Sequence, residues 1–254
     1  MLSKILEVIV TSAAEAIEAE RGGADRLEIV RSLAVGGLTP AIHTVMDILD
    51  RVAIPVRVML RDAATFVVEK GPDLALLAAA AERMAALPID GLVFGSVRDR
   101  ELDAEPLREI TEHVPGCRIT FHRAIEALAD PCAAIECLKR YPAVDRILVR
   151  GEGNDPASRR DSLDALARKA APEIQLIAGG GVDMRLLTFL SAASLVSEYH
   201  VGSAARDASG LVSASQVADL RRILDTAGAS TELRENAPQS SLFGLPEKFS
   251  NDSC

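Results

Sequence analysis

Charged and titratable residues lie inside, or at the ends of, segments that otherwise have the apolar composition of buried strands. Seven such residues occur on six segments: Glu7, Glu28, Arg61, His122, Arg123, Arg150 and His200. Burying a charge costs free energy unless the charge is paired or hydrogen-bonded. Their recurrence on successive segments predicts one shared polar site, with strand-end charges facing solvent as the alternative for any single residue.

Two of these residues are acids in mid-strand, and three are cationic or titratable groups at strand ends. Glu7 and Glu28 alternate with apolar neighbours, so both can point to one interior. Arg61, His122 and Arg123 close their strands. The pattern predicts a pocket suited to a small anionic or zwitterionic ligand or to proton transfer, and His122 is its best acid/base candidate. A structural ion-pair network without a ligand is the alternative.

Two small-residue turns could hold an anion. The first is AGGGVD at 178–183, and the second is VGSAAR at 201–206. Glycines between a strand and a helix let backbone N–H groups approach an anion, although a tight turn can need glycine for its geometry alone. The candidate anion-binding residues are Arg150, Gly179, Gly180, Gly181, Gly202 and Ser203.

The candidate residues lie on predicted strands or in the loops that follow them, because short β-branched runs alternate along the chain with longer segments of helical period. Strands are predicted at 4–10, 26–30, 55–60, 90–95, 117–122, 145–149, 174–178 and 197–201. Helices are predicted at 12–22, 40–51, 73–87, 103–113, 131–140, 157–171, 183–192 and 213–227. Eight βα units favour a closed (β/α)8 TIM barrel, in which loops after the strands build the active face. A doubly wound open sheet is the runner-up.

Composition narrows the class of protein and its partners. The 254 residues are 48% hydrophobic, enough for one large core, and residues 1–229 are predicted to form one domain. Residues 230–254 are polar and are expected to form a disordered tail. A net charge of −9 argues against nucleic acid as a partner. No membrane span or targeting segment is evident, and we expect a cytoplasmic protein.

The cysteines and the other histidines give no convincing metal site. Cys117, Cys132, Cys137 and Cys254 include no C-x-x-C pair. The spacing of Cys132 and Cys137 does not place both thiols on one helical face. We therefore expect no metal site made from cysteine and histidine.

Several segments, in their order along the chain, resemble the CutC copper-homeostasis family over about residues 5–205. They are LEVIVTSAAEAIEAERGGADRLEIV, GGLTP, IPVRVMLR, GLVFG, TFHRAIE, DRILVRG and AGGGV. The resemblance implies a cytosolic TIM barrel that forms a homodimer, a role in copper homeostasis and copper binding. The family core that the chain retains comprises Glu7, Glu28, Arg61, His122 and Arg123.

The chain departs from the family pattern where the family carries thiols. Val30 stands where the family usually has a cysteine, and the first strand reads Val8-Ile9-Val10, also without a cysteine. The family's RPRGGDF is reduced to RDAATF at 61–66, and Arg150 replaces a small residue. Thiolates are the natural ligands of Cu(I), so a copper role here can be direct or indirect.

Three hypotheses follow from the sequence. The first is a CutC-like barrel in copper homeostasis, with copper or a small anion as ligand. The second is an enzyme acting on a small phosphorylated or carboxylated metabolite, with Glu28 or His122 as the acid/base. The third is a barrel whose role is assembly, with the tail as its contact element.

Overall fold

The computed structural model describes residues 4–235, with side chains as far as residue 227. Eight parallel strands close into a barrel: β1 (Ile5–Val10), β2 (Arg26–Ile29), β3 (Val56–Met59), β4 (Gly91–Phe94), β5 (Arg118–Phe121), β6 (Val144–Val149), β7 (Gln175–Ala178) and β8 (Glu198–Val201). The strands follow one another around the barrel in chain order, and β8 pairs with β1 to close it. The predicted TIM barrel is confirmed, and the open-sheet alternative is excluded.

Within residues 4–235, eight helices connect and cover the strands. They are α1 (Ala13–Arg21), α2 (Ile42–Leu49), α3 (Pro72–Ala85), α4 (Ala104–His113), α5 (Pro131–Leu138), α6 (Pro156–Ala170), α7 (Met184–Ala193) and α8 (Ala214–Glu235). Ser12 caps α1 by accepting a hydrogen bond from the Glu15 N–H, and Asp183 caps α7 by accepting from the Leu186 N–H. Proline occupies the first turn of α3, α5 and α6, where the missing N–H costs nothing.

The structure differs from the sequence prediction mainly in its loops and its last helix. Three 3₁₀ turns follow β2, β5 and β8, and a two-stranded hairpin, Val97–Arg98 with Glu101–Leu102, follows β4. Helix α8 continues to Glu235 instead of ending near residue 227. Residues 236–254, most of the predicted tail, lie outside the described residues. Within the described part, no helix is both long and apolar enough to span a membrane.

The interior of the barrel is charged along much of its length, whereas barrel interiors are usually filled by branched aliphatic side chains. Ion pairs link ten side chains in one chain of contacts: Glu28, His200, Glu7, Arg26, Glu198, Arg146, Asp145, Arg57, Asp90 and Arg118. This network runs from the carboxyl ends of the strands to their amino ends. It compensates the charges that the sequence places on buried strands.

Arg57 anchors the lower half of this network. Its side chain has no solvent exposure and bonds both oxygens of Asp145 at 2.7 Å. It also donates to Asp90 Oδ2 and to Thr120 Oγ1, both at 2.8 Å. A planar guanidinium can satisfy this many acceptors at once, which a lysine ammonium could not do bidentately.

Candidate functional site

A cavity of about 790 Å³ opens at the carboxyl end of the barrel, among the loops that follow the strands. Nine of the residues predicted from the sequence line it: Glu28, Arg61, His122, Arg123, Gly180, Gly181, His200, Gly202 and Ser203. Ile9, Met59 and Leu148 add apolar wall, and Arg206 adds a further polar group. Glu7, Arg150 and Gly179 lie behind this lining and contact it. One cavity therefore brings the predicted acids, cations and glycine turns together.

Glu28 lies at the base of the cavity, beside Glu7 and His200. The Nδ1 atom of His200 is 2.8 Å from Glu7 Oε1 and 3.3 Å from Glu28 Oε2. A single Nδ1–H serves Glu7, the nearer acceptor, and Glu28 Oε2 is left buried without a hydrogen-bond partner. Glu28 lines the cavity and makes no hydrogen bond through Oε2, so its carboxyl group is available to bind or to deprotonate a ligand.

The pKa values of Glu7 and Glu28 are shifted in opposite directions. Burial would raise the pKa of Glu7, but Arg26, 2.5 Å from its Oε2 atom, and His200 hold that pKa well below its usual value. Burial raises the pKa of Glu28 to about 7; the charge of His200 opposes this shift and the charge of Glu7 adds to it. Paired titratable groups with separated pKa values are typical of acid/base sites.

The charge balance of the ion-pair network explains why Glu28 and His200, at its carboxyl end, hold one titratable proton between them. The ten linked residues comprise five carboxyl groups, four guanidiniums and His200. The network is neutral when Glu28 and His200 together carry one proton. Burial would lower the pKa of His200, but Glu28 and Glu7 raise it. Glu28 and His200 are thus poised to share that proton near neutral pH.

His122 is a neutral hydrogen-bond donor in this environment. Its Nδ1 atom accepts the backbone N–H of Ala124 at 3.2 Å, so the ring proton must sit on Nε2. Burial, with the charges of Arg61 and Arg123, lowers the pKa of His122 to about 3. The Nε2 atom is buried and has no partner among the described residues. The sequence suggested an acid/base role, but the imidazole stays uncharged at neutral pH and suits donation to a ligand.

Arg61 lines the cavity, but its guanidinium donates hydrogen bonds to the loops around the cavity. It donates to the carbonyls of Val35 and Gly37 at 3.1 Å, in the loop after β2, and also to the carbonyl of Ala64, in the loop after β3. The same guanidinium lies 4.8 Å above the Phe66 ring. Arg61 therefore holds two mouth loops together and contributes an uncompensated positive charge to the cavity.

Three arginines crowd around Gly180, in the loop between β7 and α7. A Cβ at Gly180 would lie 3.1 Å from Arg150 Cβ and 3.2 Å from Arg123 Cζ, and the residue has a φ of +68°. Arg159 donates to the carbonyls of Gly179 and Gly180 at 3.0 Å. Glycine is required here because a side chain would meet the guanidinium of Arg123.

Positive charge exceeds negative charge in this arginine cluster (Arg123, Arg150 and Arg159). Glu126 pairs with Arg123 at 2.7 Å. The guanidinium groups of Arg150 and Arg159 bond only to backbone carbonyls, and neither forms an ion pair with a described carboxylate. The backbone N–H of Arg150 donates to Glu126 Oε1 at 2.9 Å. Burial and the neighbouring Arg150 lower the pKa of Arg159, as expected for crowded like charges. The cluster therefore favours an anion at the Gly180–Gly181 turn.

The donor atoms of the described residues do not form a thiolate copper site. Cys132 and Cys137 lie on α5, and Cys117 precedes β5 at the opposite end of the barrel; none lines the mouth cavity. Within residues 4–235, the one trio of close ligand atoms is Glu7, Glu28 and His200. Its oxygen and nitrogen donors are harder than Cu(I) prefers, and Arg26 and His200 already engage both oxygens of Glu7.

Sequence reasoning missed several members of the site. Arg26 and Glu198 are the first residues of their strands, where a charge usually faces solvent. However, Arg26 lies two residues before Glu28, and Glu198 lies two residues before His200, so each shares a face of its strand with a site residue. This spacing of two was the signal in the sequence that could have found them. Arg159 lies on α6, and an arginine on a helix gives no sign of burial from sequence alone.

Comparisons with known proteins agree with this architecture. A model of the CutC family matches residues 4–205. A human copper homeostasis protein cutC homolog is 30% identical over 208 residues, which cover 82% of this chain and 76% of the relative. A CutC family protein of Xanthomonas axonopodis pv. citri is 30% identical over 199 residues, covering 78% of this chain and 82% of that protein.

A solved structure shares the fold. The crystal structure of CutC from Streptococcus agalactiae superposes with a TM-score of 0.70 at 24% identity, covering 78% of this chain and 98% of that one. The family match over most of the chain, the identity to the human and bacterial relatives and the shared barrel agree with one another. The chain belongs to the CutC family.

Proposed function

We propose that this barrel binds a small phosphorylated or carboxylated metabolite at its mouth and performs acid/base chemistry on it through Glu28. The observation that carries the proposal is the pairing, in one cavity, of an unpartnered buried carboxylate oxygen with an excess of positive charge. The carboxylate would exchange the proton, and the arginine cluster at Gly180 would hold the anionic group.

The network beneath the cavity supports this role. A buried structural ion pair would leave no open oxygen on either partner, as Glu7 and Arg26 show. Glu28 instead lines the cavity, and its buried Oε2 makes no hydrogen bond although His200 Nδ1 lies 3.3 Å away. Its pKa of about 7 suits a base that must also release its proton.

A role in copper homeostasis is the second candidate, and membership of the CutC family favours it. The human relative is named a copper homeostasis protein, and the Streptococcus agalactiae structure is that of a putative copper homeostasis protein. The described residues offer no thiolate cluster, so we place any copper role of this chain downstream of its metabolite chemistry. Cytoplasmic location and a homodimer stay predictions, checked by cell fractionation and by light scattering of the purified chain.

Thermal unfolding of the purified full chain tests the proposal. The probes are inorganic phosphate, phosphoglycolate, pyruvate, Zn(II), and Cu(I) under reducing conditions. A probe at 100 times its Kd stabilises the folded state by about 2.7 kcal/mol, roughly 5–11 °C in Tm for a domain of this size. Arg150→Gln should diminish the shift given by phosphoglycolate. Arg185→Gln, an exposed position on α7, should leave it unchanged.

The metal probes separate the two candidates. A shift with phosphoglycolate or pyruvate and none with Cu(I) supports metabolite binding. A shift with Cu(I) alone would overturn it and would favour direct copper handling. No shift with any anionic probe would also overturn it.

A further inference from the structure

The mouth cavity holds a second buried polar atom without a partner, and the chemistry of the pair is more specific than anion binding. Three buried side-chain polar atoms lack a hydrogen-bond partner among the described residues: Glu28 Oε2, His122 Nε2 and Ser96 Oγ. Glu28 and His122 both line the mouth cavity. Leaving such atoms unpaired costs about 1–3 kcal/mol each, so two in one cavity point to a ligand that pairs with both.

From this pairing we infer that Glu28 and His122 act as base and oxyanion donor in proton transfer at the carbon beside a carbonyl group, in a small phosphorylated hydroxy-carbonyl compound. This inference rests on the proposed function and names its reaction class. It concerns two groups on different sides of the barrel: Glu28 on β2 and His122 directly after β5.

The carbonyl group is indicated by the state of His122. Because Ala124 donates to Nδ1, the free Nε2 carries the proton and can only donate. An uncharged donor in a buried site stabilises negative charge that develops on an oxygen during the reaction. A carboxylate base paired with a neutral imidazole donor is one way in which enzymes form enolates.

The phosphate is indicated by the arginine cluster beside Gly180 and by the size of the cavity. Arg150 and Arg159 add two guanidinium charges that form no ion pair with a described carboxylate, although Glu126 and Asp183 act on Arg159 from farther away. Ile9, Met59 and Leu148 line the same cavity as Glu28 and His122, and its volume is about 790 Å³. Such apolar side chains limit water near an enolate, and the volume leaves room for a short carbon chain attached to the anionic group.

The step balances without a further reactant. The Glu28 carboxylate removes a proton from the carbon beside the carbonyl; the C–H electron pair becomes a C=C bond, and the carbonyl π pair moves to oxygen. The Nε2–H of His122 hydrogen-bonds to that oxygen. Return of the proton to the same carbon restores the substrate or inverts that centre. Alternatively, the proton is delivered to the former carbonyl carbon, and the hydroxyl proton on the first carbon passes to the former carbonyl oxygen. The first carbon then becomes the carbonyl carbon, and the product is the isomeric hydroxy-carbonyl compound.

Exchange of carbon-bound hydrogen with D2O tests the inference directly. The full chain is incubated with dihydroxyacetone phosphate in D2O, and loss of the hydroxymethyl signal is followed by proton NMR against a buffer blank. We expect exchange above the blank, at least 100-fold slower in Glu28→Gln, and unchanged in Arg185→Gln. His122→Gln, which keeps an N–H donor, should retain more activity than His122→Leu.

Binding of an enolate mimic gives a second readout that does not depend on turnover. Phosphoglycolohydroxamate should bind at least 100-fold more tightly than phosphoglycolate, as a transition-state mimic does. The His122→Leu variant should lose that difference while still binding phosphoglycolate. Circular dichroism and Tm establish that each variant is folded.

The outcomes separate this inference from the proposal beneath it. Binding of phosphoglycolate without exchange, and without preference for the hydroxamate, overturns the reaction class and leaves the proposed function standing. Exchange that persists in Glu28→Gln overturns the role of Glu28 as base. Failure of every anionic probe to bind overturns both.

Discussion

Replacing Glu28 with glutamine should change how the stability of the protein depends on pH. Burial raises the pKa of Glu28 from 4.5 to about 7, so the folded state holds this proton more tightly than the unfolded chain. The stabilisation is complete below pH 4.5 and is lost as pH rises through 7. At about 1.4 kcal/mol per pKa unit, the loss between pH 4.5 and 8 is about 3 kcal/mol.

Glutamine has nearly the shape of the protonated acid and does not ionise. The Tm of Glu28→Gln should therefore equal that of the wild type near pH 4.5 and exceed it by roughly 6–12 °C at pH 8. Thermal melts of both proteins from pH 4.5 to 8 measure this difference, in which the titrating groups that do not interact with Glu28 cancel. Glu112→Gln on α4, at an exposed position, should show no such trend. A difference independent of pH, or a variant less stable than the wild type at pH 8, would refute the reasoning.

Three further predictions concern the network, the anion turn and the mouth loops. Arg57→Met removes a fully buried guanidinium from the partly buried Asp90 and Asp145 and should cost about 3 kcal/mol in urea unfolding. Arg118→Gln, at the exposed end of the network, should cost less than about 1 kcal/mol, and equal costs would contradict a buried anchor. Gly180→Ala should abolish phosphoglycolate binding, measured by calorimetry, because the added Cβ meets the arginine cluster. Gly181→Ala should keep binding, because Gly181 has a similar φ of +75° but open space around an added Cβ. Equal effects of the two substitutions would mean that backbone strain alone is responsible. Arg61→Gln should remove the hydrogen bonds that hold the loops after β2 and β3 and should therefore speed the hydrogen exchange of their backbone amides. Amide protection unchanged from the wild type would show that the arginine does not hold these loops.

The eight βα units could be predicted from the sequence because the periods of two and 3.6 are local properties. Strand and helix boundaries fall close to the runs of β-branched and Ala/Leu-rich residues. The glutamates of β1 and β2 were also recognisable, since a charge inside an apolar run is costly and therefore conspicuous. The extension of α8 was missed because its last residues carry no apolar stripe.

The pairing of charges could not be predicted, because closure of the barrel determines it. Arg26 and Glu198 are 172 residues apart and meet only because β8 pairs with β1. The tautomer of His122 depends on one backbone N–H in the 3₁₀ turn that follows β5. Which charges are compensated, and which carboxylate oxygen stays open, are properties of the assembled barrel.

A crystal structure of the full chain with phosphoglycolohydroxamate would show whether Glu28 and His122 act on the same ligand. We expect the phosphate at the Gly180–Gly181 turn and the hydroxamate between the Glu28 carboxyl group and His122 Nε2. A ligand found elsewhere, such as the second cavity at the amino end of the barrel, lined by Cys117 and Arg118, would contradict this expectation.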